Sequence, residues 1–271
     1  MRHEIDTVGE KIYCFDRNGK RCEESLFKAL GLAAFSKEEG HAGIVSVVGA
    51  GGKTTMIRKL QEECLAENIS HIITTTTHMQ LGTKEYFVGE ADIAKIENTL
   101  QKKGSVWMGI PVGDGKMGSF PVRFLENVEK IGAWMFLEAD GAKCLPVKAP
   151  RETEPVILKD TTHVICVYGL DGIGCKIKEC SLRSEYVCKL LGKSSEDVLQ
   201  WEDIVTLALS PEGGRKSVTE RMNYQVVLNK ADTTERLEIA ERIARKMLEE
   251  EKDTSLKAVH LTCFAACDRM E

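Results

Sequence analysis

A chain of 271 residues with 37 Lys+Arg against 42 Asp+Glu carries a formal charge of −5, and 42% of it is hydrophobic. That leaves room for one or two domains with a sizeable core, and the acidic balance argues against a broad electrostatic grip on nucleic acid or anionic lipid. No apolar run approaches the ~20 residues of a membrane span, and the start MRHEIDTVGEK lacks the basic-then-apolar layout of a secretion signal, so the expectation is a cytoplasmic protein without nucleic-acid or membrane partners.

Residues 1–25 read as an N-terminal extension, with a short strand over 12–15 and a turn over 16–20 marked by Asn18-Gly19. Residues 26–32 suit one or two helical turns. Residues 43–48 form a β-branched run bounded by glycine, the pattern of a strand buried on both faces. A helix follows over 53–67, with Ile57, Leu60, Cys64 and Leu65 at helical spacing. Next come a strand (71–75), a helix (92–103), a strand (106–111), a helix (122–131) and strands over 133–137, 162–168 and 226–228. A long helix over 235–252 and a strand over 258–263 complete the series. This alternation predicts an α/β three-layer sandwich, with a mainly parallel sheet and helices on both faces. Residues 26–271 would form one nucleotide-binding domain with inserts around 80–130 and 169–222.

Between the first buried strand and its helix stands Gly49-Ala50-Gly51-Gly52-Lys53-Thr54-Thr55. Glycines let backbone N–H groups approach phosphate oxygens, and the helix start adds the positive end of its dipole. Lys53 would reach the β- and γ-phosphates, and Thr54 would offer its hydroxyl to Mg²⁺. The pattern GxxxxGK[ST] wants a glycine where Val47 stands, so the loop is a shortened variant. It resembles the GTxGKT form of the amino-acid ligases of cell-wall synthesis.

Glu138 and Asp140, at the end of a later apolar strand, lie on one face by alternation. One would hold Mg²⁺ through water and the other polarise an attacking nucleophile. Asn229-Lys230-Ala231-Asp232 matches NKxD, in which the aspartate accepts two hydrogen bonds that guanine supplies and adenine does not. GTP is therefore favoured over ATP, with residues 260–265 positioned to brace the base. In the run Thr74 to Thr77 and His78, Thr76, Thr77 or His78 would face the γ-phosphate, or the hydroxyls simply line a strand edge. Lys143 and Lys148 sit on a proline-stiffened loop that suits a phosphate or another anionic substrate, with solvated lysines as the alternative. Residues 169–174, with Asp171, would line the same cleft, and Arg183 is a weaker anion contact.

Ten cysteines with no CxxC pair read mostly as small core thiols. Cys263 with Cys267, and Cys175 with Cys180, are the exceptions worth testing for metal or redox roles.

The series VVGAGGKTT, TTTTHM, EADGAKCLPVKAP, EPVI, GLDGIG and LNKAD, in that order, resembles the YqeC family. Its members are named as accessory proteins of selenium-dependent molybdenum hydroxylases. The resemblance implies a P-loop NTPase that helps mature a molybdenum enzyme, with that hydroxylase or its cofactor-maturation proteins as partners. Where the family often has HEP this chain has Thr153-Glu154-Pro155, so no histidine role is placed there. At fold level the layout is similar to the nickel-insertion GTPases of urease and hydrogenase. The other readings are an ATP-dependent ligase or kinase acting on a small anionic substrate, a nucleotide-switched binding module without catalysis, and thiol-based metal delivery. The oligomeric state is left open.

Overall fold

The computed structural model describes residues 12–251 and 255–264. The expected helix end at Lys252, and Ala265 and Cys267, lie outside the described residues.

Ten strands make the central sheet: β1 (Ile12–Asp16), β2 (Gly19–Glu23), β3 (Ile44–Gly49), β4 (His71–Thr75), β5 (Phe87–Val88), β6 (Ser105–Met108), β7 (Trp134–Glu138), β8 (His163–Gly169), β9 (Asn223–Asn229) and β10 (Leu256–Thr262). Their order is β2-β1-β10-β9-β8-β3-β7-β4-β6-β5. From β10 to β5 every pair is parallel; β1 runs antiparallel to both β10 and β2. Residues 12–25, expected to stand apart from the domain, thus extend its sheet by a hairpin. The Asn18 N–H donates to Asp16 Oδ1 at 2.7 Å in that turn, as an Asx turn requires.

Nine helices accompany the strands among the described residues: α1 (Leu26–Ala29), α2 (Leu32–Glu39), α3 (Lys53–Ala66), α4 (Ile93–Lys103), α5 (Val122–Val128), α6 (Ile177–Cys180), α7 (Ser184–Leu191), α8 (Trp201–Leu209) and α9 (Thr234–Glu250). Strand alternation sorts the apolar residues into two cores. Val45 and Val47 of β3 pack toward Leu26, Leu30, Met56, Ile57 and Leu60 of the α1–α3 layer. Ile44 and Val48 face the opposite layer, with Ile96 of α4, Leu125 of α5, Ile204 of α8 and Ile243 of α9. Each such aliphatic side chain removes area worth roughly 1.5–3 kcal/mol from water. The protein is therefore an α/β fold with a mainly parallel sheet covered on both faces.

Two expected features shift. Residues 80–130 are no simple insert, because β5 and β6 inside them complete the sheet edge. The strand expected over 106–111 breaks at Gly109, where a Cβ would stand 2.8 Å from the Gly118 carbonyl oxygen. Its second part, Ile110–Gly113, joins Lys116–Gly118 and His78–Gln80 in a separate three-stranded antiparallel sheet. Residues 169–222 carry α6, α7 and α8 and no central-sheet strand after Gly169.

The chain runs from β3 out to β4 on one side and later returns to β8 on the other, so the order reverses at β3. The crevice beyond the carboxyl ends of parallel strands at such a reversal is where α/β sheets place their ligands.

Candidate functional site at the end of the central strand

β3 is buried throughout and opens into a loop whose glycines carry positive φ, 88° at Gly49, 83° at Gly51 and 126° at Gly52. Side chains are excluded for a second reason. A Cβ at Gly51 would stand 2.1 Å from the Gly169 nitrogen, and one at Gly49 would stand 2.5 Å from the Val167 carbonyl oxygen. Not all of the expected cradle of N–H groups is available. Gly49 N–H donates to Asp140 Oδ2 (3.0 Å), Ala50 to the Val167 carbonyl (2.8 Å) and Gly51 to the Leu145 carbonyl (3.0 Å). Gly52, the N-cap of α3, offers no side-chain cap. The donors that remain for a ligand are thus the first-turn N–H groups of α3 at the positive end of its dipole, with Thr55 half-buried among them.

Around that helix start lies a chain of buried charge. Lys53, Glu138, Asp140, Lys148 and Glu154 are each 5% exposed or less. Lys53 Nζ donates to the Gly49 carbonyl at 2.7 Å and stands 3.2 Å from Asp140 and 3.9 Å from Glu138. Burial alone would push the Lys53 ammonium down, but Asp140 and Glu138 outweigh it and hold it above its ordinary value. The Thr54 hydroxyl donates to Glu138 Oε2 at 2.7 Å. Burial raises the Glu138 carboxyl above its usual range even with Lys53 and Thr54 opposing it. Thr54 meets Glu138 directly, and Lys53 links Glu138 to Asp140. The hard oxygen atoms of Thr54, Glu138 and Asp140 suit Mg²⁺, with further ligands drawn from water or a phosphate. Among the described residues no cluster of three or more His, Cys, Asp or Glu forms a metal cage by itself.

The two loop lysines separate. Lys143 is exposed, with φ of 49°. Lys148 is buried and turned inward, 2.8 Å from Glu154, 2.9 Å from the Gly141 carbonyl and 3.1 Å from Asp140. It does not stand free for an anionic substrate, because three acceptors already take its three N–H groups. Arg183 Nη1 donates to both oxygens of Glu154 at 3.1 and 3.2 Å, so that nitrogen is taken by a carboxylate of the protein. Burial would raise Glu154, and Lys148 and Arg183 together pull it below its ordinary value. Sequence reasoning passed over Glu154. Its signal was a lone acid between Thr153 and Pro155; Lys148 and Arg151 lie close by in sequence, whereas Arg183 comes from 29 residues away.

The threonine run fastens strands together. Thr74 donates to the Met108 carbonyl, Thr75 to the Glu138 carbonyl and Thr76 to the Val156 carbonyl, at 2.8–2.9 Å. Thr77, expected to face a γ-phosphate, is half-buried, with its hydroxyl 3.3 Å from that of Thr75 and its carbonyl accepting from Ser119 N–H. His78 is exposed on the small sheet.

At the end of β9, Asn229 joins three elements. Its Nδ2 donates to the Gly51 carbonyl at 2.9 Å, and its Oδ1 accepts from Thr262 of β10 at 3.1 Å. Lys230 pairs with Asp171 at 2.5 Å, and Asp232 pairs with Arg236 of α9 at 2.7 Å. Residues 169–172, Asn229 and the loop after β3 thus meet in one place.

The cysteines behave as core thiols where buried. Burial pushes Cys14 and Cys180 up to about 11, and Cys64 and Cys166 up to about 12. Cys144 is exposed in the loop beside Gly51.

The model of the YqeC protein family matches residues 45–185. The Uncharacterized protein YqeC of Escherichia coli (strain K12) is 30% identical over 183 residues, which cover 65% of this chain and 72% of that protein. The chain belongs to the YqeC family. No solved structure matches it. The YqeC match contains Lys53, Glu138, Asp140, Lys148, Glu154, Asp171 and Arg183, and stops short of Asn229, Lys230 and Asp232. No helix among the described residues is long and apolar enough to cross a membrane.

Proposed function

We propose that this protein binds a nucleoside triphosphate with Mg²⁺ at the β3–α3 junction and hydrolyses it, as a P-loop NTPase. The observation that carries the reading is Lys53, a buried ammonium at an uncapped helix start beside two buried carboxylates and the Thr54 hydroxyl. The helix start and Lys53 suit the β- and γ-phosphates. Thr54, Glu138 and Asp140 suit Mg²⁺, with one of the acids polarising the attacking water. GTP is favoured over ATP because Asp232 completes the NKxD run just after β9, two strands from β3, with one oxygen, Oδ2, outside its bond to Arg236. The role in maturing a selenium-dependent molybdenum hydroxylase rests on the motif series and the family. Phosphoryl or ligase transfer to a small anionic acceptor is the second reading, favoured by exposed Lys143 in the loop that Gly51 holds.

Phosphate release measured with GTP and with ATP, each with Mg²⁺, tests the proposal. Turnover that disappears in Lys53→Ala supports it, whereas nucleotide binding and turnover unchanged in that variant refutes it. Release that requires a small acceptor selects the transfer reading.

A further inference from the structure

Two buried lysines flank Asp140, and they are held very differently. Lys148 has three acceptors within 3.1 Å, whereas the third acceptor of Lys53 lies at 3.9 Å. Lys148 is braced from behind. Glu154 holds it and is itself held by Arg183 at 3.1 Å and Arg151 at 3.3 Å. Arg183 sits in the left-handed region, with φ of 54°, at the start of α7. The space beside Lys148 and Asp140 is a cavity of about 10 Å³, room for one water and too small for a phosphate.

Resting on the phosphate site proposed above, we infer that Lys148 is a positioning residue, the standing counter-ion of Asp140 that frees Lys53 for the ligand. A phosphate at the helix start draws the Lys53 ammonium outward, which strips Asp140 of one of its two cations. Were Lys148 absent, Asp140 would be left as a buried carboxylate with only the Gly49 N–H, and that arrangement is costly. Asp140 would then hold Lys53 against the ligand. Glu154 and Arg183 fix Lys148 in place, so it neutralises Asp140 without reaching the nucleotide.

The test is calorimetric titration of GTP, with Mg²⁺ and with a chelator, on folded variants. Lys148→Met should weaken GTP about tenfold or more in both conditions, the range for hydrogen bonds to charged groups. Lys148→Arg, which keeps the charge, should bind within a few-fold of the parent. Adding Asp140→Asn to Lys148→Met removes the trap and should restore most of the chelator-condition affinity. A purely structural loss would instead deepen with the second change. Lys148→Met binding like the parent, or a double variant no better than Lys148→Met, overturns the inference. Should Lys148→Met fail to fold, Arg183→Met replaces it. That variant loosens Glu154 from a half-exposed position and should weaken GTP about threefold, in the range for a part-exposed ion pair, while unchanged affinity overturns the inference. A parent that binds neither GTP nor ATP refutes the nucleotide site itself. A parent that binds, with Lys53→Ala inactive and Lys148→Met unchanged, refutes only the role of Lys148.

Discussion

The two halves of the candidate site are built on opposite electrostatic plans. At the β3–α3 junction, three carboxylates and two ammoniums are buried together, each sharing partners with the next. At the end of β9, the charges form separate pairs near the surface, and the side chains of Lys230 and Asp171 are 34% and 31% exposed. In the first half no single charge can leave without stranding another away from water. In the second, water and salt stand ready to replace a lost partner. The family match spans the whole buried network but only one partner of the Lys230–Asp171 pair, since it includes Asp171 and ends before Asn229. On the proposed function, the buried half would hold the phosphates and the surface half would tune which base is accepted.

If so, the largest effects belong to the buried network. Lys53→Ala should abolish nucleotide binding and cost about 3–5 kcal/mol of stability, because Asp140 and Glu138 lose a buried cation. Chemical denaturation with titration of the same variant checks both. A loss below 1 kcal/mol would mean water reaches this network and the contrast fails. Asn229→Ala comes next. It leaves the Gly51 carbonyl and the Thr262 hydroxyl without their bonds and should cost about 1–3 kcal/mol with weakened nucleotide affinity.

The surface pairs should be cheaper. Asp171→Asn should cost no more than about 1 kcal/mol in thermal unfolding, with the loss shrinking further at high salt. Asp232→Asn should cost only a few tenths of a kcal/mol, as for an exposed i,i+4 pair, while eroding the preference for GTP over ATP. Unchanged selectivity in Asp232→Asn removes the argument for guanine. The smallest effect lies outside both halves, at Glu129. Burial, reinforced by Asp160, raises its carboxyl to about 7. A raised acid contributes stability that is full below its unfolded value near 4.5 and is lost as pH rises through about 7. Thermal midpoints of the parent should therefore fall between pH 5 and 8 more steeply than those of Glu129→Gln.

Local signals carried most of what could be read in advance. The β-branched run before Gly49, the glycines after it and the helical spacing from Lys53 each lie within a dozen residues, and the structure forms them as expected. Glu138 meets Thr54, at the start of α3, because β7 lies beside β3, the strand that leads into that helix. What was missed depends on distant partners. Lys148 looked like a ligand lysine because the loop that turns it inward onto Glu154, six residues on, has no period to read, and Arg183, which holds Glu154, lies 29 residues further along. A threonine run likewise does not reveal which carbonyls the hydroxyls of Thr74, Thr75 and Thr76 will meet. β5 has two residues and offers no period to read. Residues 12–25 seemed separate because their strand pairs with β10, more than 240 positions away.

The most direct measurement is calorimetric titration of the intact chain with GTP and with ATP, each with Mg²⁺, beside the Lys53→Ala variant. Saturable binding of Mg²⁺–GTP at one site, weaker binding of ATP and none to the variant is the predicted result. No binding of either nucleotide, or equal binding to parent and variant, would contradict a phosphate site at the β3–α3 junction.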